Sequence, residues 1–357
     1  MKKQLTKIFV TVLVVLLTAS FFGAFSAPVA GQTTTDQEKA MDFTENVLLI
    51  NLSKYKVNLT IDFIMDGVPL ANDNRKIHNL MYELNSENSN LKIYFTVEKD
   101  KLVSYNMVPL CEQVITTNQY NNRVDAVKGF LERYQTRTKI DSSNLIAMLD
   151  KVDITKNSTT TLDNTQLTVL VTSYFNVEEV IFTWTNMING AGYGSLELTV
   201  DENCFISAMC DTRLLYTIGD TSVNISEKQA IDIALENLKF YSYAMPDGSI
   251  VKDFKVHRDN IVATLFTSSV DYELRPYWDI RMILDEVYPG NVHGITAFID
   301  ANTGEVISYS NMAYGGVYDD STVPNTSNSN TLIIGIAIVA VIAAVTTGIL
   351  ITKKKQK

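Results

Sequence analysis

Segments in which apolar and polar residues alternate with period two recur along the chain, and a short polar turn interrupts each one. The clearest three are Leu91–Tyr105, Leu196–Ser207 and Ile295–Tyr309, which recur at intervals of roughly 100 residues and indicate an internal repeat. Such alternation predicts a β-hairpin with one face on a core and the other toward water or a partner. In the third segment Gly304 supplies a residue that tolerates the positive φ of a tight turn.

A helix is predicted before each of these segments. The stretch 226–238 begins with Ser226, which can cap the first turn, and Glu227 places a negative charge at the positive end of the helix dipole. Apolar side chains then recur at every third or fourth position, as a single buried stripe requires. Counterparts are predicted over 121–134 and, with a less regular stripe, over 35–52.

Further strands are expected between each helix and its hairpin. The predicted fold class is therefore α+β, with tandem modules of one helix packed on a three- to four-stranded antiparallel sheet. The additional strands are predicted over residues 57–65, 166–184, 260–266 and 277–284. The modules are expected to span residues 32–118, 119–218 and 219–315.

The N-terminal segment has the pattern of a secretory signal peptide. Three lysines precede an apolar stretch over 8–25, and small residues follow it. Cleavage after Ser26 or after Gly31 satisfies the small-residue requirement, and an uncleaved anchor is the alternative. We therefore expect residues 1–31 to be a signal peptide.

The C-terminal segment predicts one transmembrane helix at 332–352. The uncharged run Leu332–Ile351 spans about 30 Å as a helix, which matches a hydrocarbon core. A Ser/Thr/Asn-rich stalk at 316–331 precedes it and a basic tail at 353–357 follows, which the positive-inside rule places in the cytoplasm. The expected location is the cell membrane, with one span and the ectodomain outside. Small residues spaced four apart could let two such helices form a homodimer: Ala340, Ala344 and Gly348.

The expected ectodomain is strongly acidic. Seven of the 30 basic residues and none of the 40 acidic residues lie in the two terminal segments, which leaves a net charge of −17. Such a surface repels phosphate backbones, so nucleic acid is excluded as a partner. Solubility outside the cytoplasm explains the acidity, and the surface could also attract metal ions or basic partners weakly.

Five Asn-x-Ser/Thr sequons permit N-glycosylation in a host that performs it. They begin at Asn51, Asn58, Asn157, Asn224 and Asn325. The chain has three cysteines, and Cys204 and Cys210 are predicted on one extended strand, too far apart for a disulfide. A disulfide framework is therefore not expected.

Three stretches of the third repeat resemble the PepSY domain family. They are ISEKQAIDIALE at 225–236, PYWDI at 276–280 and AFIDANTGEVI at 297–307. The likeness lies in the capped helix and in the closing hairpin with its Thr-Gly turn, and it covers residues 222–312. Residues 119–212 are similar in outline only, because Asp-Glu-Asn stands in place of that turn.

PepSY domains occur in propeptides of thermolysin-like metallopeptidases and in many exported or membrane-anchored proteins, where they are thought to inhibit peptidases or to assist their folding. The resemblance implies a non-catalytic module whose sheet or groove engages another protein. It transfers no catalytic residue to this chain, and no cofactor or metal is expected. Candidate residues for the partner-binding surface are aromatic, although such residues more often pack in a core: Tyr277, Trp278 and Tyr288.

The chain offers few groups for catalysis. Its three histidines, His78, His257 and His293, are far apart and match no metal-ligand spacing. Four carboxylates of the third repeat could converge as an acid/base pair or a Ca²⁺ site, but solvated surface is the plainer interpretation. These carboxylates are Asp279, Asp285, Glu286 and Asp300.

Three functions remain open from the sequence. The favoured one is a non-catalytic, membrane-anchored extracytoplasmic protein that binds protein or peptide. One form of this function is the inhibition or regulation of an envelope peptidase. The alternative is a structural or adhesive cell-surface protein whose repeats form contacts. The third, a carboxylate-based hydrolase, is the least favoured.

Overall fold

The computed structural model describes residues 33–68, 73–110, 114–174 and 177–313. Strands account for 52% and helices for 20% of this part of the chain. Four helices occur within it: α1 (Thr33–Asn46), α2 (Arg123–Thr138), α3 (Ser143–Leu149) and α4 (Glu227–Leu238). None of these four is both long enough and apolar enough to cross a bilayer. The predicted signal peptide, stalk, transmembrane helix and basic tail lie outside the described residues.

Nine strands form one large sheet in which every neighbouring pair is antiparallel. The order across this large sheet is β1-β2-β3-β4-β9-β8-β7-β6-β5. Its strands are β1 (Lys56–Val68), β2 (Asp73–Asn85), β3 (Asn90–Glu98), β4 (Lys101–Pro109), β5 (Ser158–Leu162), β6 (Thr165–Tyr174), β7 (Val177–Ile188), β8 (Ala191–Val200) and β9 (Ile206–Asp211).

The C-terminal part of the described chain forms a separate five-stranded sheet, here called the C-terminal sheet. Strands β13, β14, β15 and β16 follow one another as antiparallel neighbours, and β10 adds a short parallel pair to the start of β14. Two further strands, β11 and β12, make a small hairpin. The bounds are β10 (Thr217–Ile218), β11 (Tyr243–Ala244), β12 (Ile250–Val251), β13 (Val256–Val270), β14 (Glu273–Tyr288), β15 (Val292–Asp300) and β16 (Val306–Ala313).

The predicted fold class is wrong. The described part of the chain is mostly β. The first two predicted modules do not have separate sheets of three or four strands. The reason is an edge-to-edge junction in which β4 pairs with β9, with Tyr105 opposite Met209. This pairing joins the hairpins β3–β4 and β8–β9 and fuses two sheets into one of nine strands. An unpaired edge strand exposes a row of backbone donors and acceptors. When two edges pair, the backbone groups of both strands form hydrogen bonds with each other.

One hydrophobic core lies between the large sheet and the helices α1, α2 and α3. Helix α2 begins where the Asn122 side chain accepts a hydrogen bond from the amide of Asp125, and it buries one apolar stripe that includes Phe130 and Tyr134. From α1, Phe43 is buried among these rings, at 6.2 Å from Phe130 and 5.3 Å from Tyr105 of β4. The predicted helix over 35–52 ends earlier, at Asn46.

A second core lies between α4 and one face of the C-terminal sheet. Helix α4 begins with a capping box in which Ser226 and Gln229 each bond the other's backbone amide. Its buried residues pack on alternate positions of β14 and β15. The turn of the β15–β16 hairpin contains Gly304, whose φ is +79° and whose Cα faces Ile225 and Ile233 so closely that a methyl group there would lie 3.2 Å from the nearest carbon.

The two sheets meet at the tip of the β13–β14 hairpin. Tyr272 in this tip donates a hydrogen bond of 2.7 Å to the buried Glu98 of β3, and the Lys99 ammonium lies 3.3 Å from the centre of the Tyr272 ring. Thr267 of β13 donates to the carbonyl of Gly192 in β8 at 2.7 Å. Three contacts therefore hold the hairpin tip against the large sheet: the hydrogen bond to Glu98, the cation–π contact with Lys99 and the hydrogen bond to the backbone of β8.

Candidate functional site

The side chains of β14 separate onto two faces because successive residues of a strand point in opposite directions. Ile280 and Met282 are fully buried against α4. Tyr277, Asp279 and Arg281 therefore lie on the other side of the C-terminal sheet. We call this side the outer face, and its residues are Val262, Thr264 and Phe266 of β13, Tyr277, Asp279 and Arg281 of β14, and Thr296 and Phe298 of β15.

Three aromatic rings form a ladder across three strands of the outer face. The Tyr277 ring lies 6.3 Å from that of Phe266 and 5.7 Å from that of Phe298, between centroids. Phe266 is 41% exposed, and Val262 on the same strand is 56% exposed. The outer face thus presents apolar and aromatic surface to solvent, whereas α4 covers the opposite face.

A buried carboxylate lies beside this ladder. Asp279 is only 2% exposed, and its Oδ2 accepts hydrogen bonds from Nε and Nη2 of Arg281 at 3.2 and 3.1 Å. Its Oδ1 is buried and has no hydrogen-bond partner. Burial raises the pKa of Asp279, and the hydrogen bonds and charge of Arg281 offset this only in part, so the pKa lies above its ordinary value. A buried acceptor without a partner is unusual and calls for an explanation.

Tyr277 is protonated over the whole physiological range. Burial raises the pKa of its phenol to about 12, and the neighbouring Asp279 charge acts in the same direction. The ring therefore offers an apolar body and a neutral hydroxyl, the combination that makes tyrosine frequent in binding surfaces.

The three aromatic residues predicted as a partner-binding surface do not lie together. Tyr277 is on the outer face, but Trp278 points to the opposite face and donates its indole N–H to the carbonyl of Ile225 at 2.8 Å. Tyr288 packs in an aromatic cluster near α4, with its ring 5.1 Å from that of Phe254. Adjacent strand positions cannot share a face, so the alternation itself separates Tyr277 from Trp278.

The four candidate carboxylates of the third repeat also have different environments. Asp279 is buried, Asp285 and Glu286 are exposed, and the Oδ1 of Asp300 accepts from the amides of Asn302 and Thr303 in the β15–β16 turn. Asp285 lies six residues from Asp279, about 20 Å along the strand. Within the described residues, no group of three or more His, Cys, Asp or Glu side chains is arranged to hold a metal ion.

The sequons lie in different local settings. Asn157 is exposed before β5, and Asn58 is half-buried on the edge strand β1. The Nδ2 of Asn224 donates to Asn302 at 2.5 Å. Asn51 is half-buried, and its side-chain Oδ1 accepts a hydrogen bond from the Ser53 hydroxyl. Asn325 lies outside the described residues. Glycosylation of these five asparagines stays a prediction.

The two described cysteines are free thiols, Cys204 and Cys210. Burial raises the pKa of Cys210 to about 11, with the nearby carboxylates of Glu197 and Asp211 acting in the same direction. A thiol in that state is protonated at neutral pH and is a poor nucleophile.

A second polar cluster was missed by the sequence reasoning, and we call it the His78 cluster. His78 of β2 is buried, with Nδ1 at 2.9 Å from Asp36 of α1 and Nε2 at 2.8 Å from Asp62 of β1. Gln37 donates to Asp62 and Lys39 donates to Asp36. Burial acts to raise the pKa of Asp36, but the hydrogen bonds from His78 and Lys39 outweigh it, and the pKa lies below its ordinary value.

Comparison with known proteins identifies no family for this chain and a weak structural similarity. No family model matches the chain, and no curated protein matches it. Among solved structures, the chain is similar to the Bacillus megaterium YpeB C-terminal domain, with 12% identity and a TM-score of 0.30 over 81% of this chain and 100% of that one. A score this low does not establish a shared fold.

Proposed function

We propose that this chain is a non-catalytic binding protein that engages another protein or a peptide through the outer face of the C-terminal sheet. The observation that carries the proposal is the outer face itself: a partly exposed aromatic ladder beside a buried carboxylate with an unpaired oxygen. A binding hot spot typically combines these features: aromatic side chains surround a polar group, and that group gains a hydrogen-bond partner only in the complex.

The ladder favours a protein or peptide over a small polar solute. Phe266, Tyr277 and Phe298 extend over three strands, so their rings offer a wide platform. Large, shallow, aromatic-rich surfaces are typical of protein interfaces, where tyrosine and phenylalanine are enriched in the central part of the contact. A small ligand would instead require a concave site that buries most of its surface.

The location and the class of partner are part of the same proposal. The lysine-rich start with its apolar stretch and the uncharged run at 332–351 support an exported protein held by one membrane span. The sequence resemblance to PepSY domains supports an envelope peptidase as the partner, which this chain would inhibit or regulate. On this proposal the outer face is presented outside the membrane, where such a peptidase works.

Site-directed photo-crosslinking in intact membranes tests the proposal. A photoreactive amino acid replaces Val262 on the outer face of the full-length chain, and in a matched control it replaces Phe240, which is 77% exposed at the end of α4. We expect position 262 to capture a protein other than this chain, and position 240 not to capture it. Capture of the same proteins from both positions would contradict the proposal, as would no capture at all.

The same experiment separates binding from a structural role. If position 262 captures only further copies of this chain, the structural or adhesive alternative replaces the binding function. Mass spectrometry of the captured band identifies the partner, and a peptidase among the proteins specific to position 262 would support the regulatory role.

A further inference from the structure

The outer face carries a more specific feature than its aromatic character, and this inference rests on the function proposed above. We infer that the outer face binds a basic side chain, lysine or arginine, of the bound protein or peptide. The charged group of that side chain pairs with Oδ1 of Asp279, and its aliphatic stem lies along the rings of Tyr277 and Phe298.

The unpaired oxygen of Asp279 favours a cationic hydrogen-bond donor. Both oxygens of a carboxylate are strong acceptors, and leaving one buried without a donor costs free energy that a ligand can recover. Arg281 occupies only Oδ2, and Oδ1 has no donor. A cationic N–H donor is the partner that forms the strongest hydrogen bond with such an oxygen.

Aromatic side chains next to Asp279 favour a basic ligand as well. Tyr277 precedes it by two residues on the same strand and face, and Phe298 is directly opposite on β15. Lysine and arginine carry long apolar stems that cover aromatic surface while the charged end reaches a polar group. Cations are also attracted to the faces of aromatic rings, so the ladder favours the same ligand as the carboxylate does.

The net charge around the C-terminal sheet is negative. Residues 219–313, which contain the C-terminal sheet and α4, hold 14 acidic and 7 basic residues. The surrounding field is therefore negative and attracts basic segments of a partner. It also opposes an acidic ligand at Arg281, which is already paired with Asp279. Arg275, two residues before Tyr277 on the same face of β14, is likewise paired with a carboxylate, that of Glu273.

Access to Asp279 is from the side that lacks α4. Arg281 is 46% exposed although it contacts a carboxylate that is almost fully buried. Its long side chain can turn toward solvent without any change in the sheet. Displacement of Arg281 or rotation of the ring of Tyr277 would admit a ligand cation to Oδ1.

Binding of three labelled decapeptides to the purified full-length chain in detergent tests the inference. The probes alternate valine with arginine, glutamine or glutamate, and fluorescence anisotropy reports their dissociation constants. We expect the arginine peptide to bind at least tenfold more tightly than the glutamine peptide, and the glutamate peptide most weakly. Equal binding of the arginine and glutamine peptides would overturn the inference.

Two substitutions then assign the charge preference to Asp279. Asp279→Asn keeps the size of the side chain, and we expect it to abolish the preference for arginine, while Asp285→Asn at the exposed end of β14 leaves the preference in place. Arg281→Gln frees Oδ2, and we expect several-fold tighter binding of the arginine peptide. Weaker arginine-peptide binding by Arg281→Gln, or an unchanged preference in Asp279→Asn, would overturn the inference.

A variant of the ladder keeps this test distinct from that of the proposed function. If Tyr277→Ala weakens the binding of all three peptides while Asp279→Asn changes nothing, the outer face binds peptides without selecting a basic residue. In that outcome the inference fails and the proposed function stands. If position 262 also captures no partner in membranes, the proposed function fails as well.

Discussion

His78 lies between two carboxylates, and its Nδ1 is 2.9 Å from Oδ2 of Asp36. Nε2 of the same ring is 2.8 Å from Oδ1 of Asp62. The cluster joins helix α1 to strands β1 and β2 through one buried ring.

Removal of that ring should destabilise the large sheet. His78→Ala removes a hydrogen-bond partner from Asp36 and from Asp62, and a buried polar group left without a partner costs about 1–3 kcal/mol. Because Lys39 and Gln37 remain, we expect the lower part of that range. Urea denaturation gives the free energy of unfolding. His257→Ala, at an exposed position of β13, is the control and should unfold like the unmodified chain.

Acid should weaken the same cluster through Asp36. The pKa of Asp36 is lowered in the folded chain, so its carboxylate stabilises the fold above the unfolded-state pKa of about 3.9, and this contribution is lost as the pH falls through the folded-state pKa. We expect Asp36→Asn to be less stable than the unmodified chain at pH 6 and to lose less stability between pH 4 and pH 3. Glu87→Gln, in an exposed turn, is the control. An equal loss in all three proteins would argue against the role of Asp36.

Asp279 should have the opposite pH dependence. Its pKa is raised by burial, so the favourable contribution of its neutral form is present below pH ~3.9 and is lost as the pH rises through the folded-state pKa. We therefore expect Asp279→Asn to melt at a higher temperature than the unmodified chain at pH 7, with the difference vanishing below about pH 4. Thermal melts of both proteins from pH 3 to pH 8 check this. A lower melting temperature for Asp279→Asn at pH 7 would mean that the pair with Arg281 stabilises the fold.

Two glycines with the same backbone conformation provide a matched pair. Gly304 and Gly248 have φ values of +79° and +84°, but a methyl group at Gly304 meets Ile233 and Ile225 whereas one at Gly248 meets nothing within 4 Å. Alanine at either position should cost about 1–2 kcal/mol for the left-handed conformation. We expect Gly304→Ala to cost at least 1 kcal/mol more than Gly248→Ala because of overpacking. Equal costs would show that the turn relaxes away from α4.

The capping box of α4 should act as one unit. Ser226→Ala is expected to cost about 1 kcal/mol, since the amide of Gln229 loses its partner. The double variant with Gln229→Ala should cost less than the sum of the two single variants, because each single change already breaks part of the reciprocal pair. Denaturation of all four proteins completes the cycle, and strict additivity would mean that the two hydrogen bonds are independent.

Local signals in the sequence located several elements of this fold. The segments 91–105, 196–207 and 295–309 form antiparallel hairpins, because alternation and turn residues act over only a few positions. The predicted helix over 226–238 is α4, whose start is set by Ser226. The pairing of β4 with β9 carries no such local signal, since backbone hydrogen bonds at a sheet edge do not depend on particular side chains.

The candidate site was only partly predictable for related reasons. Tyr277 was identified by its aromatic character, but Trp278 was grouped with it although adjacent strand positions point to opposite faces. The low exposure of Asp279 follows from the packing of side chains contributed by neighbouring strands, which no single segment reveals. Asp36, Asp62 and His78 come from a helix and two strands, and their spacing matches no motif.

The pairing of β4 with β9 has a consequence for the order of folding. Ser104 lies opposite Cys210, which follows it by 106 residues. A chain that emerges from its N-terminus exposes the β4 edge until all of that intervening sequence has been made, and contacts of such long sequence separation slow folding. The unfinished first half therefore carries a strand edge that can pair with a second nascent chain. Correct folding therefore requires that β9 pairs with β4 before the β4 edge pairs with another chain and aggregates.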